Sequence, residues 1–290
     1  MKFGAHMPTS GGVWRALERG AETGCEVVQL FVKNNMQWTG RPFTPKELER
    51  YTAGVAATRF ARVFGHAGYL INLAASPSPN RDKSLASLAQ EIELATQLEL
   101  PFLVLHPGSH LGAGEAAGLE QLVRGLDEVI AATRGSPVRL ALENTAGQGA
   151  CLGARLEHLA TAFDRVRRPE RLAVCLDTAH FFAAGYAIQS PAGWEAAMVE
   201  AERLFGLEQV VAFHLNDSKT ELGSRVDRHA GIGQGKLGRA AFRHIVNDAR
   251  FAETPGCLET PKSPDLHEDV ENLDVLRGLV KGRKGRKPRR

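Results

Sequence analysis

Residues 171–180, RLAVCLDTAH, run apolar from Leu172 to Leu176, stop on a carboxylate at Asp177 and place a histidine three positions later. The same shape recurs along the chain. FGHAG (64–68), LVLHPGSH (103–110), LALENT (140–145), AFHLND (212–217) and GCLET (256–260) are short apolar runs closed by His66, His106, Glu143, His214 and Glu259. These closing residues recur at intervals of about 34 to 45 positions, the length of one strand plus one helix. The spacing predicts repeated βα units with all six side chains at the same end of the sheet. One histidine at a strand end is ordinarily a hydrogen-bonded core residue; the whole set, with His180, Asp227 and His229 added, is not explained that way.

Eight strands are expected: KFGAHM (2–7), EVVQLFV (26–32), ARVFGH (61–66), FLVLH (102–106), VRLALEN (138–144), RLAVCLD (171–177), VVAFHLN (210–216) and GCLET (256–260). Most are continuous apolar runs without alternation, the pattern of parallel strands buried on both faces. Helices fill the intervals. Over 82–98, Leu85, Leu88, Ile92 and Ala95 form one stripe, with Asn80 and Asp82 as start signals. Over 116–132, Leu119, Leu122, Val123, Leu126, Val129 and Ile130 form another. Eight such units predict a single (β/α)8 TIM barrel over residues 1–280. A doubly wound open sheet would gather its chemistry at one switch point instead of at six strand ends. Long glycine-, proline- and asparagine-rich connections at 33–46, 67–81, 107–115 and 216–238 follow strands and would form the active face.

The chain of 290 residues carries a net charge of +3 that hides an asymmetry. KGRKGRKPRR (281–290) has seven positive charges and no negative one, which leaves a mildly acidic body at −4. Such a tail suits a polyanionic partner through counterion release, and equally suits a solvated terminus without one. No apolar stretch approaches the ~20 residues needed to cross a bilayer. MKFGAHMPTSGG lacks the apolar segment of a signal peptide. The four cysteines form no CxxC pair, so reduced thiols and a cytoplasmic protein are expected. Nothing points to an obligate protein partner, and a monomer is expected.

Nine candidate ligands, five histidines and four carboxylates without a thiolate, suit Zn2+, with Mn2+ or Fe2+ as alternatives. A catalytic zinc uses about three protein ligands. The count therefore fits three ions with one carboxylate to bridge. Clustered divalent ions supply hydroxide at neutral pH and stabilise both entering and departing oxygens, which phosphodiester hydrolysis requires.

HAGYLINLA, LHPGSH, LENTAGQG, LDTAHFFAAGY, HLNDSK, SRVDRHAGIGQGKLG and CLETP strongly resemble the motifs of endonuclease IV, the zinc-dependent apurinic/apyrimidinic endonucleases. The resemblance runs from GAHMPTSGG to about residue 278 and leaves out only the basic tail. It implies that His66 and His106 bind a first zinc, that Glu143 bridges it to a second held by Asp177, His214 and Glu259, and that His180, Asp227 and His229 hold a third. It implies hydrolysis of duplex DNA on the 5′ side of abasic sites by a zinc-held hydroxide, leaving a 3′-hydroxyl, and trimming of blocked 3′ ends. Tyr69 and Leu70 match residues that wedge into the duplex. FVKNNMQW matches the loop after strand two, so Met36, Gln37 and Trp38 are expected to contact DNA. Met36 stands where the family carries an inserted arginine, and a methionine wedges but cannot contact phosphate.

His6 ends strand one and is expected to line the DNA groove. His110 is expected behind the ligands; His158, His244 and His267 are expected to be structural or on the surface. The competing function is a metal-dependent sugar isomerase or epimerase on the same barrel, which fold alone does not exclude.

Overall fold

The computed structural model describes residues 1–282; the basic tail lies outside the described residues from position 283 onward. Seven strands come first: β1 (Lys2–His6), β2 (Val27–Phe31), β3 (Arg62–His66), β4 (Phe102–Leu105), β5 (Arg139–Glu143), β6 (Leu172–Asp177) and β7 (Val210–His214). A two-stranded antiparallel ribbon of β8 (Asp217–Ser218) and β9 (His229–Ala230) precedes β10 (Pro255–Leu258). The barrel is closed in the order β1-β10-β7-β6-β5-β4-β3-β2, and its neighbours are parallel. The eight expected strands are the eight barrel strands, within two residues at each end.

The connecting helices are α1 (Trp14–Glu22), α2 (Pro45–Thr58), α3 (Pro79–Gln97), α4 (Glu115–Ala132), α5 (Leu156–Arg165), α6 (Thr178–Ala184), α7 (Pro191–Phe205), α8 (Gly238–Ile245) and α9 (His267–Leu279). The two helices read from the periodicity are α3 and α4. The start of α3 differs from the expectation. Ser78 caps it, its hydroxyl accepting the Arg81 N–H, and Pro79 opens it, so Asn80 and Asp82 already lie inside the first turn. Proline supplies the fixed φ of a first helical residue and needs no donor there. Among the described residues no helix is long and apolar enough to cross a membrane.

Burial forms two layers. A large core lies between barrel and helices and includes Leu30, Leu103, Leu142, Leu176 and Phe213 with Leu88, Ile92, Leu122 and Leu126. A small inner core holds Phe64, Phe102, Val104, Ala141, Ala173, Cys175, Ala212 and Cys257. Strand side chains alternate between faces, so two residues further on each strand the chain points inward again. Phe64 leads to His66, Val104 to His106, Ala141 to Glu143, Cys175 to Asp177, Ala212 to His214 and Cys257 to Glu259. The inner core is the floor on which these six residues stand.

Candidate metal centre

Six strands each deliver one polar side chain to the barrel mouth, and α6 adds another. Asp177 ends β6 and caps α6, its Oδ1 accepting the His180 N–H at 2.7 Å. That cap fixes the Asp177–His180 spacing and turns both side chains into the centre. Asn144 holds the same corner: its Oδ1 accepts the Asp177 N–H at 2.6 Å, and its Nδ2 donates to the Asp177 carbonyl at 3.1 Å. The ribbon brings in His229 and the loop before it brings Asp227. Buried Asp217 organises the following loop by accepting the N–H groups of Gly233, Gly235, Leu237 and Gly238 at 2.9–3.2 Å, as well as that of its neighbour Ser218.

All nine expected ligands meet. His66, His106 and Glu143 form one set of donor atoms within 4.8 Å of one another; Glu143, Asp177, His214 and Glu259 form a second; Asp177, His180 and His229 form a third. Asp227, on the open side, joins the third set through contacts of 3.3 Å to His180 Nε2 and 3.2 Å to His229 Nε2. Asp177 reaches both the second and the third set, a sharing the sequence reading did not contain. Glu143 is fully buried, with imidazole nitrogens of His214, His106, His180 and His66 at 2.8, 3.0, 3.2 and 3.4 Å.

The donor set fits divalent cations. Carbonyls accept only, so they fix the protons of three rings. His66 donates Nδ1–H to the Ala67 carbonyl at 2.7 Å, His180 to that of Asn144 at 2.9 Å, and His229 to that of Glu259 at 3.2 Å. Each ring thereby keeps a proton on Nδ1 and turns Nε2, the nitrogen left for a metal, toward carboxylates, the arrangement of metal-ligating histidines. His66 Nε2, His229 Nε2 and Glu143 Oε2 are buried with no hydrogen-bond partner. Orphaned polar atoms of this kind call for an ion. Without one, burial pushes the His229 imidazole down, but Asp177 and Asp227 outweigh it and hold it up at about 9. Burial alone would raise the Glu143 carboxyl; His214 and His106 keep it well below the ordinary range.

Of the expected DNA-contact residues, Tyr69 and His6 adjoin this centre. Tyr69 is 55% exposed and its ring meets those of His66, Phe31 and His106 at 5.6, 5.4 and 6.3 Å. Leu70 is half-buried. Met36 is 65% exposed, Gln37 is exposed and Trp38 half-buried. A groove of about 630 Å³ beside the centre is lined by His6, Phe31, Lys33, Tyr69, Glu259 and Lys262 among others. A second, of about 530 Å³, runs past Tyr69, His106, Gln148, Cys151, His180 and Asp227.

Three features escaped the sequence reading. Gln29 is buried against His6, His214 and Glu259. The buried Lys33–Glu91 pair, at 2.8 Å, joins the Met36 loop to the Tyr69 loop, because Glu91 also accepts the Gly68 N–H at 2.9 Å. The third is the Asp217 loop anchor. A glutamine or glutamate inside an otherwise apolar pattern was the available signal for the first two. One expectation is corrected. His110 does not stand behind the ligands; its Nδ1 accepts the N–H groups of Gly112 and Gly114 and braces its own loop. The reason is local: Gly112 and Gly114 adopt positive φ and fold their amides back toward the ring. His158 is buried and accepts the Gly153 N–H, His244 donates to the Ile188 carbonyl, and exposed His267 contacts Asp265, all away from the centre.

A closed parallel barrel with histidines and carboxylates gathered at the carboxyl ends of its strands is the class of the xylose isomerase-like TIM barrels, and residues 17–279 match that family. Within it, the probable endonuclease 4 of Chloroflexus aurantiacus is 48% identical over 281 residues, covering 97% of this chain and 99% of its own. The crystal structure of endonuclease IV from Thermus thermophilus superposes with a TM-score of 0.84 at 36% identity, over 96% of this chain and 98% of that one. A D-tagatose 3-epimerase-like protein, at 19% identity and a TM-score of 0.70 over 97% and 98% of the two chains, shares the fold alone. The chain belongs to the endonuclease IV family.

Proposed function

We propose that this protein is a DNA-repair endonuclease. It hydrolyses the phosphodiester on the 5′ side of abasic sites in duplex DNA, leaves a 3′-hydroxyl and trims blocked 3′ ends, using three zinc ions and one domain over residues 1–280. The observation that carries the reading is the meeting of nine ligand-type side chains under an exposed tyrosine, in a chain of this family. His66, His106 and Glu143 would hold the first ion, Glu143 with Asp177, His214 and Glu259 the second, and His180, Asp227 and His229 the third. When bound, such ions activate water and neutralise charge on the attacking and leaving oxygens.

The chain's own residues supply placement. The inner core and the Asp177 cap fix the ligands before any substrate arrives, so little reorganisation accompanies reaction. Tyr69 and Leu70 fill the stack that an extruded nucleotide leaves, with Met36, Gln37 and Trp38 on the neighbouring loop and His6 in the groove wall. Extrusion costs a few kcal/mol, and less where no base stacks, so the wedge itself favours abasic sites. A sugar epimerase has no use for the wedge loop or for a third ligand set.

The test is a gel assay on a duplex with one synthetic abasic site, with and without chelator, beside elemental analysis of the purified protein. Incision 5′ to the lesion, lost with chelator, and about three zinc per chain are expected. An intact duplex with metal-loaded protein overturns the assignment.

A further inference from the structure

Gln29 sits at the centre of β2 with no exposed surface. Its amide touches three polar groups of the site. Nε2 lies 2.6 Å from Glu259 Oε1 and 2.8 Å from His6 Nδ1, and Oε1 lies 2.7 Å from His214 Nε2. Chemistry decides the orientation of the amide. An ionised carboxylate accepts and never donates, so the NH2 must face Glu259. The carbonyl end then faces His214 Nε2, which must carry the proton. The second N–H of the amide faces His6 Nδ1, which must be bare, so the proton of neutral His6 is on Nε2.

Two consequences follow for the centre. With Nε2 committed to the Gln29 carbonyl, Nδ1 is the nitrogen of His214 left for an ion; it faces Glu143 Oε1 at 2.8 Å and Glu259 Oε2 at 3.2 Å, to which it donates when no ion is bound. Glu259 has Oε1 engaged by the amide, which leaves Oε2 on the side of His214. His66, His180 and His229 are bound through Nδ1 to carbonyls and turn Nε2 inward. His214 is inverted relative to those three, and Gln29 is the acceptor its outer nitrogen meets.

We propose that Gln29 is a positioning residue of the metal centre: it sets the tautomer of His214 so that Nδ1 is the nitrogen offered to the second ion, it aims Glu259, and it holds Nδ1 of His6 as an acceptor. An outer partner of this kind changes metal affinity by roughly 10–100-fold. The inference rests on the metal reading above and not on the DNA substrate.

The test uses the zinc-loaded full chain and no DNA. Nitrogen-15 spectra of histidine-labelled wild type are expected to show His214 with its proton on Nε2 and the metal at Nδ1, against the reverse for His66, His180 and His229. Metal at Nε2 of His214 overturns the proposal. Gln29→Leu keeps volume and removes the amide, and Gln29→Met is the second apolar variant should the first fold poorly. Zinc release to excess chelator is expected to be faster by about 10–100-fold in either variant, with one ion lost first. Release within twofold of wild type, in a variant that melts at the wild-type temperature, overturns it. Failure of wild type to cut an abasic duplex would strike the nuclease reading and leave these outcomes untouched.

Discussion

Replacing Glu143 by glutamine removes one charge and almost no volume. The carboxylate is fully buried, and four imidazole nitrogens lie 2.8–3.4 Å from it. It therefore stands between the first and second ligand sets, where a bridging carboxylate would face two cations. At 3–4 Å and an effective dielectric near 20, a unit charge pair is worth about 4–6 kcal/mol. Each 1.36 kcal/mol is about tenfold in rate. Losing that interaction for even one cation lowers kcat on the order of a thousandfold. The fold is expected to survive, because glutamine keeps the shape and can still hydrogen-bond to Nδ1 of His214. Binding of an abasic duplex is expected to change little, since the groove residues are untouched. The assay is single-turnover cleavage of a labelled abasic duplex by Glu143→Gln at saturating protein, with zinc content and duplex affinity measured in parallel. Cleavage within a few-fold of wild type at full zinc content would refute the bridging role.

Other outcomes are expected. Met36→Arg adds one cation to an exposed loop position; affinity for an abasic duplex is expected to rise and the salt slope to steepen by about one unit, and an unchanged titration counts against this loop as a DNA contact. Asp217→Ala strips the acceptor from the Gly233, Gly235, Leu237 and Gly238 amides; at about 1–3 kcal/mol per buried group left unpaired, partly relieved by water, a loss of roughly 3 kcal/mol is expected in urea unfolding, and a loss below about 1 kcal/mol would show that the loop is anchored otherwise. In metal-free protein His229 titrates near 9 against an ordinary value of 6.5. Its contribution is fully present below about 6.5 and is lost as pH rises through about 9. The chelated protein is therefore expected to unfold at lower urea at pH 9.5 than at pH 7, and equal midpoints would contradict the ion pairs described.

The barrel was legible because parallel strands buried on both faces leave a simple trace. Leu172–Leu176 and its counterparts are continuous apolar runs, and the polar residue that ends each one marks the mouth. The gathering of the candidate ligands was legible for the same reason: a histidine or carboxylate at a fixed place after each such run is delivered to the same end of the barrel. What the sequence hid depends on distance. Ser78 outcompeted Asn80 as the helix cap because Pro79 fixes the first turn, a choice made by backbone geometry. Gln29 reads as one polar letter in EVVQLFV until barrel closure brings β1, β7 and β10 alongside it. Lys33 and Glu91 are 58 positions apart and look like two solvated charges until the two loops meet. Asp177 belongs to two ligand sets, and no linear spacing reports that a side chain is shared.

The ligand-type residues run from His66 on β3 to Glu259, the residue after β10, and Glu143 joins the first set to the second. The second set is spread over the consecutive strands β5, β6, β7 and β10, so it is complete only when the chain has run as far as Glu259. On the proposed ligand assignment, a polypeptide interrupted during synthesis, or clipped by a protease before Glu259, would lack a ligand of the second ion. For a molecule that severs DNA, that makes incompleteness harmless: the blade exists only in the finished tool.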